Sequence, residues 1–182
     1  MAGHSDEATS VCVAAVGEQA GHWSLDAAGS RAEFHVKHFW GAITVHGLFE
    51  RLQGEGTVGP GGMISGCLVI DAASLTTKNP KRDQHLRSAE FFDVAHHPDV
   101  VVSVRDLTLA DATALRGRVA VEAAGREQEF EATVTVLEAG PDAAMLRCEL
   151  VMDRTAYGMI WSPLGMASRT ARAVVAARFV RR

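Results

Sequence analysis

Cysteine is scarce in this chain of 182 residues, which contains only Cys12, Cys67 and Cys148. An odd and small number of cysteines does not form the disulfide framework of a small secreted domain. Cys67 and Cys148 lie within apolar, strand-like patterns, where thiols usually serve as small buried hydrophobes. The chain is long enough to bury a sizeable core as one domain instead.

Long hydrophobic runs are also missing, and the longest fall far short of the roughly 20 apolar residues of a membrane-spanning helix. We therefore expect no stable membrane span. Residues 1–21 contain no Lys or Arg and only a short apolar run, Val11–Val16, so the basic region of an export signal is absent. The sequence predicts a cytoplasmic protein with a flexible extension over residues 1–21 and one domain over residues 22–182. A chain that begins after or within a processed leader is the alternative.

An excess of positive charge is missing as well. The formal net charge is −4 and the pI is near 6.0, which argues against nucleic acid as the main partner. The aromatic residues are not interleaved with basic residues, as they would be in a platform that stacks bases.

Motifs for catalysis and for metal binding are absent. The sequence has no G-x-S-x-G nucleophile motif, and it has no H-x-H, H-E-x-x-H or C-x-x-C. The histidines that could suggest a metal are His38, His46, His85, His96 and His97. Their spacing does not support one ion, so we predict no metal, no cofactor and no catalytic residue.

What the sequence does have is alternation of apolar and polar residues with a period of two, from Trp23 onward. Such stretches, separated by turn signals such as Gly59–Gly62, predict an all-β sandwich or barrel. The predicted inner face mixes large residues such as Phe34 with small ones such as Gly47 and Ala173. This mixture favours an antiparallel up-and-down barrel of about eight strands with room for a ligand. Composition alone makes a barrel filled by its own side chains about as probable.

The segment from Asp71 to His97 interrupts the strand pattern. Asn79-Pro80 is typical of a helix start, and we expect one or two short helices within residues 78–97. Leu86, Phe91 and Phe92 are expected to pack inward as a plug. Arg82 either binds an anionic head group or pairs with Asp83 to fix the helix to the barrel rim. His85 donates either to a polar ligand head or to a strand carbonyl.

This segment carries a resemblance to a known family. The order R-D-x-H-L-x-S-x-x-F-F-D-V over residues 82–94 resembles the hallmark of the YceI-like proteins. Trp23–Asp26, Gly47-x-Phe49, the lead-in over residues 71–79 and Arg154-x-x-Tyr157-Gly158 are similar to further motifs of that family, in the same order. Two segments depart from its pattern. Residues 159–166 are longer and more apolar than the usual link, and residues 168–172 replace an acidic V-x-D-x-V step.

The resemblance implies a lipocalin-like barrel that binds a long apolar lipid without catalysis, in a homodimer. The lipid would be a polyisoprenoid, a quinone tail or a fatty-acid derivative. The residues predicted to bind it are Phe34, Val36, His38, Phe49, Arg82, Asp83, His85, Phe91, Val102, Val119, Phe130, Val134 and Trp161.

Two other classes of function stay open. One is a hydrolase or isomerase that acts on an isoprenoid-like substrate, with His85 as base and Asp83 orienting it. The other is a ligand-free, dimeric, stress-related module with a packed barrel. Its contact would use Val174, Ala176 and Val180 on the outer face of the last strand.

Overall fold

Residues 20–182 are described by a computed structural model and form ten strands and one α-helix. The elements are β1 (Gly21–His38), β2 (Ile43–Phe49), β3 (Leu52–Val58), β4 (Ile64–Asp71), β5 (Leu75–Thr76), α1 (Pro80–Arg87), β6 (Asp99–Asp111), β7 (Ala114–Ala123), β8 (Arg126–Ala139), β9 (Ala143–Asp153) and β10 (Thr170–Arg181). Cys12 and nearly all of the predicted N-terminal extension lie outside the described residues.

Eight of these strands form a closed antiparallel barrel. The order β10-β9-β8-β7-β6-β4-β3-β1 is completed by direct pairing of β10 with β1. The other edge of β1 pairs first with β3, where Trp23 lies opposite Gly56, and then with β2, where Phe34 lies opposite Gly47. The predicted up-and-down barrel of about eight strands is confirmed, with one short helix in the predicted interruption.

The period-two pattern sorts side chains between the two faces of the wall. In β7, Val119 and Val121 are buried, whereas Arg116 and Arg118 are exposed. Two small clusters of buried residues lie toward one end of the barrel: Leu107, Leu115, Val134, Val136 and Ala139 in the first, and Trp23, Val58 and Ala144 in the second. The start of β1, the end of β10 and the β3–β4, β6–β7 and β8–β9 turns lie there, so we call it the closed end.

Three longer connections meet at the opposite end of the barrel, which we call the mouth. They are residues 39–42 between β1 and β2, residues 77–98 between β5 and β6, and residues 154–169 between β9 and β10. The first and third adjoin each other, because Ser168 N donates to Lys37 O at 2.8 Å. The mouth therefore gathers the parts of the chain that are not strand.

The helix α1 begins and ends at the residues that its sequence indicates. The Asn79 side chain accepts from Arg82 N at 3.2 Å, and Pro80 occupies the first turn. At the other end, Ser88 N donates to His85 O. Phe92 N then donates to Leu86 O at 3.0 Å, which turns the following segment back toward the barrel. As predicted, three side chains of this region pack on the core: Leu86, Phe91 and Phe92.

No helix formed by residues 20–182 is long and apolar enough to cross a bilayer.

Asp83 and Arg82 both fasten α1 to the end of β5 through Thr77, whose hydroxyl donates to Asp83 and accepts from Arg82. The buried Asp83 carboxylate accepts from Thr77 N at 2.8 Å and from Thr76 Oγ1 at 3.2 Å. Arg82 Nε donates to Thr77 Oγ1 at 2.7 Å. Burial alone would raise the pKa of Asp83, but the hydrogen bonds from Thr77 and Thr76 and the charge of Arg87 outweigh it and lower the pKa.

Replacing Asp83 should therefore destabilise the protein in a pH-dependent way. We expect Asp83→Asn to lower the free energy of unfolding at pH 7 by about 1–3 kcal/mol, since charge-assisted hydrogen bonds are lost. A lowered folded-state pKa contributes stability above the unfolded pKa, and that contribution disappears as the pH falls through the folded pKa. Denaturant unfolding should show that the difference in the free energy of unfolding between wild type and Asp83→Asn becomes smaller as the pH is lowered from neutral to acidic.

The matched control is Asp142→Asn, because the exposed Asp142 lies in the β8–β9 turn at the closed end. Its stability should stay within about 0.5 kcal/mol of wild type. An Asp83→Asn variant as stable as this control, or a gap that does not change with pH, would contradict the role given to the Asp83 carboxylate.

Candidate functional site

The lumen of the barrel holds a cavity of about 800 Å³. Such a volume lies within the range of roughly 300–1,000 Å³ that is common for small-molecule sites. Its lining is mostly apolar and runs from Trp23 near the closed end to Trp161 at the mouth. The side chains of the wall therefore leave the barrel partly empty.

Most residues that the sequence predicted as ligand contacts line this cavity. Phe34, Val36, Phe49, Val102, Val119 and Val134 form part of its wall, and His38, Arg82, His85, Phe91 and Trp161 line its mouth. The structure thus brings together residues that are far apart in the sequence, from Phe34 to Trp161.

Asp83 and Phe130 are not part of the lining. The Asp83 carboxylate is buried against Thr76 and Thr77. Phe130 lies opposite Val119 in the β7–β8 pair and packs on the core while partly exposed. The β8 strand also contacts the turn Arg154–Tyr157. Tyr157 of this turn lines the cavity, whereas Phe130 does not.

Small residues in the wall make the space. Ala171, Ala173 and Ala177 on the inner face of β10 line the cavity with little more than a methyl group each. Gly47 has a second role, because a Cβ atom at this position would overlap the ring of Phe34 on the neighbouring strand. The Phe34 ring therefore lies over the backbone of Gly47 and does not need to extend further into the lumen.

Two groups of rings lie one above the other at the mouth. Phe34, Phe49 and Phe92 form the deeper group, with ring centroids 5.6–6.0 Å apart. His85, Phe91 and Trp161 form the outer group, in which the His85 ring is 4.5 Å from Trp161 and 5.1 Å from Phe91. Tilted and edge-to-face rings at these distances attract each other, so the entrance has a preferred packed arrangement.

Arg154 organises the β9–β10 connection from within. Its guanidinium is buried and donates to the carbonyl oxygens of Ser168, Ala167 and Met159. Burial lowers the pKa of Arg154 against the opposing influence of Asp153, but an arginine remains charged in a protein. The residue also lines the cavity. Sequence reasoning marked Arg154 as part of a motif without placing it in the site.

Tyr157 and Gly158 complete this motif. The buried Tyr157 hydroxyl donates to Val121 O at 3.3 Å, and burial together with Glu127 raises the pKa of Tyr157 to about 12. Gly158 ends the turn with φ of 82°, a conformation that glycine adopts without strain. The R-x-x-Y-G spacing was the signal that these residues act together on one connection.

Positive charge dominates the polar part of the mouth. Burial lowers the pKa of His38, and the charges of Arg154 and Arg82 lower it further. His38 is therefore mainly neutral at neutral pH. The hydrogen bonds found for the Arg82 and Arg154 guanidiniums within residues 20–182 go to hydroxyl and carbonyl oxygens. Both side chains keep a net charge that complements an anionic group.

The His85–Asp83 pair that the enzyme hypothesis requires is not formed. His85 Nε2 lies 2.5 Å from Glu90 Oε2, whereas the Asp83 carboxylate faces Thr76 and Thr77. Asp83 therefore does not orient His85, because it is engaged on another side of α1. Within the described residues, no group of three His, Cys, Asp or Glu could hold a metal ion.

Sequence relatives cover part of the chain. A UPF0312 protein of Staphylococcus aureus strain N315 is 28% identical over 89 residues, which are 48% of this chain and 52% of the relative. A UPF0312 protein of Vibrio cholerae El Tor Inaba N16961 is 30% identical over 82 residues, 43% of each chain. The matched region thus spans about half of these curated relatives or less.

Solved structures share the fold over most of the chain. BcnA of Burkholderia cenocepacia superposes with a TM-score of 0.76 at 15% identity, covering 85% of this chain and 98% of that one. A polyisoprenoid binding domain from Saccharophagus degradans gives 0.71 at 18% identity, covering 88% and 98%. The YceI protein of Campylobacter jejuni gives 0.65 at 16% identity, covering 74% and 83%.

The model of one protein family matches nearly all of the barrel. It describes the YceI-like domain and covers residues 23–179, from near the start of β1 almost to the end of β10. The motifs that line the mouth, from α1 to the Arg154 turn, all fall within it. The chain belongs to the YceI-like family.

Proposed function

We propose that the protein is a non-enzymatic carrier that binds a long apolar lipid in the lumen of the barrel. The observation that carries this proposal is the cavity of about 800 Å³ with its mostly apolar lining. Burial of each methylene group contributes roughly 0.8 kcal/mol. An extended hydrocarbon chain along the lumen would therefore bind tightly without a strong polar anchor.

The lipid class is a polyisoprenoid, a quinone tail or a fatty-acid derivative. The neighbour from Saccharophagus degradans is described as a polyisoprenoid binding domain, which supports an isoprenoid as the first candidate here. The lumen is lined by branched and aromatic side chains such as Val36, Val102 and Phe49. Such a lining suits a methyl-branched chain by shape, because it interdigitates with the branches.

The polar end of the lipid would remain at the mouth. Arg82, Arg154 and His38 face the cavity there, together with Asn79, Lys81 and His85, and the two guanidiniums favour an oxygen-rich or anionic head group. The apolar tail would then extend toward Trp23. This orientation leaves charged atoms near water and buries only hydrocarbon.

The other two hypotheses have less support. An enzyme that uses His85 and Asp83 would need the two side chains in contact, and they are not. A ligand-free module would have a packed barrel, whereas the lumen contains a large cavity. The homodimer and the cytoplasmic location remain predictions from the sequence; Val174, Ala176 and Val180 lie partly covered on the outer face of β10.

Filling the lumen should abolish most of the binding. We expect Ala173→Phe to weaken uptake of decaprenol from mild detergent about tenfold, because the ring takes space from roughly two methylene groups of the ligand. Native mass spectrometry of the protein with added decaprenol measures the bound fraction. The melting temperature should stay the same or rise, since the ring fills empty space.

The matched control is Ala176→Phe, which places the same ring on the outer face of the same strand. Decaprenol uptake by this variant should equal that of wild type. Equal uptake by Ala173→Phe and Ala176→Phe would show that the lumen is not the binding site, and the proposal would then fail.

A second substitution narrows the lumen indirectly. Gly47→Ala should push the Phe34 ring away from β2 and into the cavity, because the new methyl group would overlap it. We expect decaprenol affinity to fall roughly fivefold for the loss of one to two methylene contacts. Overpacking should also lower the free energy of unfolding by about 1 kcal/mol.

Gly59→Ala is the control, since a Cβ atom there has only one neighbour, at an ordinary 3.6 Å from Met63 O. Titration of both variants with decaprenol compares their affinities. If Gly47→Ala binds as tightly as Gly59→Ala, the Phe34 ring does not limit the lumen.

A further inference from the structure

Large apolar side chains project from the mouth into solvent. Leu164 is 86% exposed, Trp40 is 78% exposed and Ile160 is 73% exposed. They come from two connections, residues 39–42 and 154–169, that adjoin each other on the same rim. A patch of this kind on a soluble surface usually marks a place of contact with something else.

The backbone holds two of these side chains in an unfavourable conformation. Trp40 and Leu164 both have φ of 52°, in the left-handed region. Bulky residues rarely adopt this region, whereas Gly and Asn do so readily. Neither side chain is buried or lines the cavity, so neither folding nor ligand contact explains a large apolar residue there.

All three lysines of the sequence lie at this same end. Lys37 is at the end of β1, and Lys78 and Lys81 flank the start of α1. All three are exposed. The stem of Lys37 lies beside the 39–42 turn, 4.0 Å from where a Gly41 Cβ would be. Within residues 20–182, none of the three forms an ion pair.

Some acidic residues near the mouth are paired, whereas the exposed Asp99, Glu122 and Glu127 lie on β6–β8, across the barrel from β1 and its Lys37. Glu90 lies 2.5 Å from His85, and Asp153 lies 2.8 Å from Arg169. The chain as a whole has a net charge of −4, and exposed acidic residues such as Asp111 and Asp142 lie at the closed end. The side of the mouth formed by the 39–42 turn and the start of α1 is therefore the part that suits an anionic surface.

We propose that the mouth docks on an anionic lipid bilayer. Trp40, Ile160 and Leu164 would enter the interface, where tryptophan is favoured and aliphatic side chains reach the acyl chains. The three lysines would bind lipid phosphates, with their alkyl stems along the apolar surface. This contact is peripheral and involves loops only.

The inference goes beyond the proposed function, because a lumen can bind lipid whether or not the protein touches a membrane. A second copy of the chain is a less suitable occupant of this surface. Two mouths related by a two-fold axis would bring their lysines face to face, and such juxtaposition of like charges opposes association.

The test uses the full chain with vesicles of equimolar phosphatidylcholine and phosphatidylglycerol in a flotation assay. The variant Trp40→Asn/Leu164→Asn removes both projecting side chains and places Asn where the backbone is left-handed. It should fold at least as well as wild type. We expect wild type to float with the vesicles and the variant to show at least tenfold weaker partitioning, with unchanged decaprenol uptake from detergent.

Met63→Asn/Leu137→Asn is the matched control, since Met63 is 47% exposed and Leu137 is 50% exposed, both on the half of the barrel toward the closed end. This variant should float like wild type. Failure of wild type to float, or equal flotation of the two double variants, would overturn docking through the mouth. Loss of a dimer in Trp40→Asn/Leu164→Asn without vesicle binding by wild type would assign the surface to a second copy instead.

The charge is tested separately with Lys37→Gln/Lys78→Gln/Lys81→Gln. Partitioning of this variant should be several-fold weaker at low salt and nearly independent of salt, whereas wild type should lose binding as salt rises. Salt-independent binding by wild type would contradict the lysine contacts. Because these vesicles contain no isoprenoid, flotation without decaprenol uptake would retain this inference and overturn only the proposed function.

Discussion

The pairing of β1 with β10 is the contact on which the architecture depends. It leaves the eight-stranded wall without a free edge, so that the sheet needs no second layer. β1 can bend to make this contact because its register with β10 shifts between Asp26 and Arg31. Ser30 stabilises the shift, since its hydroxyl donates to Asp26 O at 2.6 Å and accepts from Arg178 N at 2.9 Å. Closure of the wall is what allows the interior to stay open.

The cavity means that the interior of this barrel is not closely packed, whereas close packing stabilises most domains. Of the three largest fully buried side chains within residues 20–182, Leu75 and Leu115 lie outside the cavity lining, whereas Val119 belongs to it. Leu115 lies in the cluster near the closed end, and Leu75 lies beneath the mouth segment. Hydrogen bonds to Asp83 and from Arg154 hold two of the three connections of the mouth. The main cluster of buried residues, which includes Phe34, Phe49 and Val119, surrounds the cavity, so the same side chains supply both the core and the lining.

The sequence predicted the barrel, the start of α1 and most of the lining because these features follow from local pattern. Period-two alternation assigns a face to each residue, and Asn79-Pro80 places a helix start within a few residues. Alternation cannot show that another connection covers part of a strand, and so Phe130 was expected in the lining although Tyr157 lines the cavity there. The partners of Asp83 and Arg154 are likewise backbone groups and hydroxyls. Their positions depend on how loops fold over the barrel end, which residue type alone does not determine.

The closed end has one further consequence. Trp23, Val58 and Ala144 form a buried cluster there, so under the proposed function a lipid would leave by the mouth through which it entered. The donor and the acceptor of the lipid would then both have to contact the mouth, one after the other. Lipid transfer would then follow ping-pong kinetics. It could not pass through a complex in which this protein binds the donor and the acceptor at the same time. A single molecule that covers the mouth would therefore prevent both the uptake and the release of the lipid.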